Sequence, residues 1–144
     1  MFKPALVLSL IALVLFSGCS SPSSSPSSGS SGSAENKVAS VDLLDRNFVR
    51  DSKGAPVEIK LVGKVKLQGA AVSEQEFACD LKYSDQFVNQ DITKKEKLAE
   101  NGEKEVSVTM TAPLNGKLDI GKWSVCCGLG KSLDKESQKV VCTK

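Results

Sequence analysis

The sequence of residues 35–144 predicts an all-β fold, an antiparallel β-sandwich with two disulfides, on three observations. Apolar side chains recur at every second position in several segments, helical periodicity is nearly missing, and Gly, Asn and Pro turn signals separate the alternating runs. The first run holds Val57, Ile59, Leu61, Val65 and Leu67 against Glu58, Lys60, Lys64 and Lys66, so it reads as one half-buried strand or as two bent at Gly63. The second sets Phe77, Cys79 and Leu81 against Ala78, Asp80 and Lys82, and each run is expected to bury one face only. From Asp91 to Ala99 the residues DITKKEKLA suit a helical turn or two, with Lys94-Lys95-Glu96-Lys97 as a solvated face. Alternation returns with Val106, Val108, Met110 and Ala112, then with Trp123, Val125, Cys127 and Leu129, and ends with Val140-Val141-Cys142-Thr143. Lys53-Gly54-Ala55-Pro56, Asn101-Gly102 and Pro113-Leu114-Asn115-Gly116 supply the turns.

The stretch from Leu118 to Val125 resembles the corner before strand F of immunoglobulin-like domains, where an aromatic residue follows a turn glycine and points into the core. Here Gly121 precedes Trp123, whereas those domains carry tyrosine, and Cys126 and Cys127 follow at three and four residues rather than at two. The resemblance implies an immunoglobulin-like sandwich.

The amino terminus addresses the chain. Met1-Phe2-Lys3, an apolar run from Ala5 to Phe16 broken only by Ser9, and Ser17-Gly18-Cys19 form the charged, apolar and small-residue regions of an export signal. Twelve helical residues rise about 18 Å, short of the roughly 30 Å hydrocarbon core, so a spanning helix is disfavoured. Leu15-Phe16-Ser17-Gly18-Cys19 resembles the lipobox of bacterial lipoproteins, with Phe16 where that family usually has leucine. The resemblance implies cleavage before Cys19 and its lipidation, and therefore a membrane anchor in the bacterial cell envelope. Ser20, in the place where aspartate retains such proteins in the inner membrane, implies the outer membrane. Several acyl chains hold firmly where one holds only marginally.

Residues 20–33 are ten Ser, two Pro and two Gly, with nothing to bury, and read as a tether. Its root-mean-square reach is roughly 20 Å. The expected organisation is thus a signal peptide over 1–18, a lipidated Cys19 and tether over 19–34, and a globular domain over 35–144.

With Cys19 assigned to lipid, Cys79, Cys126, Cys127 and Cys142 remain, an even number in an oxidising compartment and hence two disulfides in one of three pairings. A hairpin centred near Asp134 would bring Cys126 opposite Cys142. Cys79, on the inward phase of its strand, would then meet Cys127 across the core, joining facing sheets. The pairing with Cys126 and Cys127 exchanged is the next alternative, and a vicinal Cys126–Cys127 bond the least favoured.

Composition narrows the chemistry. Lys and Arg number 19 against 17 Asp and Glu, with no clustered positive stripe, so nucleic acid is not an expected partner. Histidine is absent from the sequence, which removes the commonest general base and zinc ligand. No cofactor, metal site or catalytic residue is expected. Gly130-Lys131-Ser132 looks like the end of a phosphate-binding loop, yet Val125 stands where its first glycine belongs. Ser132-Leu133-Asp134-Lys135 matches the S-x-x-K string of penicillin-recognising enzymes, but a polar hairpin loop is the better reading. Asp42, Asp45, Asp80, Asp85 and Asp119 show no spacing that selects a carboxylate pair. The expected function is that of a non-enzymatic binding or scaffold module with an envelope or extracellular protein partner. The alternatives are a small hydrolase inhibitor and a thiol-redox accessory using Cys126 and Cys127.

Overall fold

A computed structural model describes residues 35–100 and 102–144, so the expected signal peptide, the expected lipidation at Cys19 and the expected tether lie outside the described residues. Eight strands run β1 (Lys37–Arg50), β2 (Pro56–Gln68), β3 (Val72–Tyr83), β4 (Gln86–Phe87), β5 (Ile92–Leu98), β6 (Glu103–Pro113), β7 (Trp123–Leu129) and β8 (Val141–Cys142). The 3-10 turn Ile120–Lys122 leads into β7. All pairings are antiparallel. One sheet has the order β1-β2-β6; the other has β4-β3-β7-β8, with β5 also paired to β3.

The two sheets enclose one core, because period-two alternation gives each a single apolar face. Ile59, Leu61, Val65 and Leu67 of β2 and Val106, Val108, Met110 and Ala112 of β6 meet Phe77, Cys79 and Leu81 of β3 and Trp123, Val125 and Cys127 of β7. The β2–β6 ladder runs unbroken from Glu58↔Pro113 to Gln68↔Glu103. Gly63 does not divide β2: it keeps the inward phase, packed near Val108 and Val125. Val57, the first residue of that alternation, is 42 % exposed and lies outside the core.

Strand β1 is not anticipated by the alternation, and the reason is visible in its register. Shifts between Val38 and Ser40 and between Leu43 and Asp45 insert extra residues, so the inward set becomes Val38, Val41, Leu43, Arg46 and Phe48. Two irregular steps hide a period of two.

The helical turn expected over 91–99 is instead strand β5. It pairs with β3 from Val72↔Leu98 to Cys79↔Ile92, and Ile92, Lys94, Glu96 and Leu98 form its more buried side. An unpaired β3 edge with an apolar residue at each end of the segment outweighs the helix preference of its Lys and Glu residues. Glu74 and Glu76 add ion pairs to Lys95 across this ladder, at 2.7 and 3.2 Å.

The expectation that every strand buries one face holds for β2 and β6 but fails for β3 and β7. Residues 130–140, a strap between β7 and β8, cover the outer side, so Ala78, Asp80 and Cys126 are fully buried as well. At the end of the domain where β1 begins, Gly102 (φ +67°) approaches Gly69 so closely that a Cβ there would lie 1.9 Å from the Gly69 oxygen. The Gly69 N–H donates to the Gly102 carbonyl at 2.8 Å, which joins two turns.

Candidate functional site

Strands β4 and β5 lie along the same edge of β3, but the register changes between them. Lys82 faces Phe87 and the Val88 N–H still donates to the Leu81 carbonyl at 2.9 Å, whereas Cys79 faces Ile92, which leaves residues 89–91 bulged out of the ladder with Asn89 at φ +63°. The Asp80 carboxylate stands where that ladder is broken. It accepts the N–H groups of Leu81 (2.8 Å), Asn89 (2.9 Å) and Gln90 (3.1 Å), so it supplies acceptors that the bulge takes away.

Burying that charge requires a counterion, and the strap provides it. Lys135 Nζ lies 3.0 Å from Asp80 and 3.1 Å from Asp91, and donates to Asn89 Oδ1 at 2.6 Å. Asp91 in turn accepts the Leu133 N–H at 3.0 Å. The Phe87 ring carries Lys135 and Lys82 at 5.4 and 5.3 Å from its centroid, within cation–π range. Burial alone would lower the Lys135 pKa, but its hydrogen bonds and charge contacts with Asp80 and Asp91 outweigh that and hold it above the ordinary 10.5. The cluster is saturated: its charges are spent on one another and on backbone N–H groups, as in a structural clamp.

Beside the clamp, an open groove of about 570 Å³ runs between the start of β1 and the strap. Val38, Leu129, Val140 and Val141 give it an apolar floor, and Lys37, Asp134 and Gln138 a polar rim. An ion pair between Glu35 and Lys139 crosses it, and the Lys139 hydrogen bond holds the Glu35 pKa below its usual value. The groove exists because β8 pairs with β7 only at Cys126↔Cys142 and Cys127↔Val141. Just before Val141 the chain turns on itself, with the Val140 and Lys139 N–H groups both donating to Ser137. Its volume falls in the range of ligand sites.

The cysteines are joined as Cys79–Cys127 and Cys126–Cys142, with Cα separations of 4.1 and 3.9 Å. The first bond corrects the expected geometry, because it does not cross between facing sheets. Cys79 and Cys127 are register partners on neighbouring strands of one sheet, and the β3–β7 pairing places both on the core side. Cys126 points to the other side, with Ala78 and Leu133.

Of the carboxylates considered from sequence, Asp80 is the clamp and Asp119 caps the turn before β7, accepting the Gly121 N–H at 3.0 Å. Asp42 and Asp45 lie on β1, and Asp85 in the β3–β4 turn. In the Ser132–Lys135 string, Ser132 is exposed and Lys135 turns inward to Asp80. Among the described residues no group of three His, Cys, Asp or Glu side chains is arranged to hold a metal ion. The clamp partners Phe87, Asn89, Gln90 and Asp91 went unrecognised in the sequence; the one signal for Asp80 is a charged residue between Cys79 and Leu81 in an apolar strand. A search of family models, of curated proteins and of solved structures finds no match to the chain.

Proposed function

We propose that this chain is a lipid-anchored envelope protein of bacteria whose globular domain works as a non-enzymatic binding or scaffold module, displayed on the Ser-rich tether from the outer membrane. The observation that carries the reading is the groove between Glu35–Val38 and the strap, a concave surface with an apolar floor and charged rim, on a body whose buried Asp80 carboxylate is already paired with Lys135. A protein partner that fits it presents a short aliphatic segment flanked by polar residues. Burial of Cys126 and Cys127 in two separate disulfides speaks against a vicinal Cys126/Cys127 pair that catalyses thiol-redox chemistry on other proteins.

The immunoglobulin-like form of the sandwich belongs to the same proposal. It draws support from the strand orders β1-β2-β6 and β4-β3-β7-β8, and from the corner before β7. There the Trp123 indole Nε1–H donates to the Lys117 carbonyl at 3.1 Å, a bond back to upstream backbone such as the tyrosine corner makes. The hydrolase-inhibitor reading keeps one observation in its favour: Leu118 is 57 % exposed on a loop fixed by that indole bond and by the Asp119 cap.

Two measurements test the proposal. In cells fed a clickable fatty acid, the Cys19→Ser variant should lose both the acyl label and its membrane fractionation, and an unlabelled wild-type protein would end the lipoprotein reading. Crosslinking of the anchored protein in its native envelope should recover a stoichiometric partner that is lost in Lys139→Glu/Val140→Arg. An unchanged partner set in that variant would remove the groove from the binding surface.

A further inference from the structure

The two disulfides differ in how they meet solvent and in what they hold. Cys79, Cys126 and Cys127 have no exposed surface, whereas Cys142 is half-buried on a two-residue edge strand. The Cys79–Cys127 bond is surrounded by the main core. The Cys126–Cys142 bond lies in the smaller cluster outside the sheet, where it ties the end of the strap to β7.

Without that bond the strap has few attachments. Within it, Ser137 N–H bonds the Asp134 carbonyl and Val140 N–H the Ser137 carbonyl, so these bonds shape the strap without holding it to the sheet. Its anchors to the body are the Gly130 N–H to Glu76, the Lys131 carbonyl to Thr93, and the clamp at Leu133 and Lys135. All of these lie before residue 136. Past it the remaining links are the Lys139–Glu35 surface pair, the short β8 ladder, the packing of Val140 and Val141 against the two apolar clusters, and Thr143, whose N–H donates to the Val125 carbonyl at 2.9 Å while its Oγ1 accepts the Val125 N–H at 3.1 Å.

We propose that Cys126–Cys142 is a redox latch on the carboxy-terminal half of the strap, opened by a dithiol reductant while Cys79–Cys127 stays closed. One thiolate of the reductant attacks the Cys142 sulfur, the S–S bond breaks, and Cys126 leaves as a thiolate that takes up a proton. The second reductant sulfur then displaces Cys142, so the reductant ends as a disulfide and the protein as two thiols; two electrons and two protons have moved. The new Cys126 thiol cannot relay the exchange to Cys79–Cys127, because neighbouring residues of a strand point to opposite faces and β7 itself stands between them. The Lys135 clamp keeps residues 131–135 docked, so the opening is confined to 136–144. That segment carries Ser137, Gln138, Lys139, Val140 and Val141, one wall of the groove. The redox state of one bond thereby sets the width of the groove, whatever the groove accepts.

The test titrates the full-length protein with dithiothreitol under native conditions, quenches with iodoacetamide, and reads intact mass, peptide map and amide deuterium exchange. A species labelled only at Cys126 and Cys142 should precede any species with four labels. In it, amides of 136–144 should exchange about tenfold faster or more, with those of β2 and β6 unchanged. The double variant Cys126→Ser/Cys142→Ser should show the same exchange pattern without reductant. Four labels appearing together, labelling of Cys79 and Cys127 first, no labelling short of global unfolding, or a strap that exchanges at the wild-type rate in the reduced protein or the double variant would each overturn the proposal.

Discussion

Asp80 and Lys135 carry unequal shares of their cluster. Asp80 → Ala removes the acceptor of three backbone N–H groups and leaves the lysine without its buried partner, which should cost about 2–4 kcal/mol in urea unfolding. Lys135→Met should cost less, about 1–3 kcal/mol, because Asp80 keeps those donors and a side chain 24 % exposed is partly screened. Equal losses would mean that the charge pair, and not the bulge, is what Asp80 serves. The pH dependence has a definite sign. Since the Lys135 pKa is raised on folding, its contribution is fully present below the unfolded value and is lost as pH rises through the folded one. As pH rises above 10.5 the urea midpoint should therefore fall by more in wild type than in Lys135→Met.

Among the elements, β3 and β7 are the axis of the second sheet, and the disulfides exploit both of their faces. Replacing Cys79 and Cys127 with Ala removes a closure of 48 residues from inside the core and should destabilise the domain by about 2–5 kcal/mol. The Cys126/Cys142 pair closes only 16 residues at the sheet margin and should cost less by the same denaturant measurement. Strand β5 is where local preference and pairing disagree. Its Lys and Glu residues favour a helix, and only the exposed edge of β3 and the burial of Leu98 turn the segment into a strand.

For the whole molecule, the two sheets share one core and both disulfides lie within residues 79–142, so the contacts that hold the fold among the described residues lie within 35–144. A fragment of residues 35–144 should melt in one cooperative transition with the same midpoint as the full chain within about 2 °C. Two transitions by calorimetry, or a much lower midpoint, would show that the sheets are separately stable or that residues before Glu35 contribute. Folding should be slow for the size of the domain, since each sheet joins strands distant in sequence, such as β2 with β6 and β3 with β7.

Alternation and turn residues alone were enough to identify β2, β3, β6 and β7, because side chains that alternate along a half-buried strand must alternate in polarity. The even set of cysteines likewise implied two bonds, and a hairpin centre at Asp134 is the midpoint of the Cys126↔Cys142 register. Strand β1 escaped because its bulges break the period, and β5 because its strand state is a property of the β3 edge and not of its own residues. The clamp and the groove were beyond reach for one physical reason. Asp80 and Lys135, like Val38 and Val140, are distant in sequence and meet only when the strap folds over the outer face of the sheet. Whether a lysine there is solvated or buried against a carboxylate is decided by that covering layer, which leaves no periodic trace in the chain.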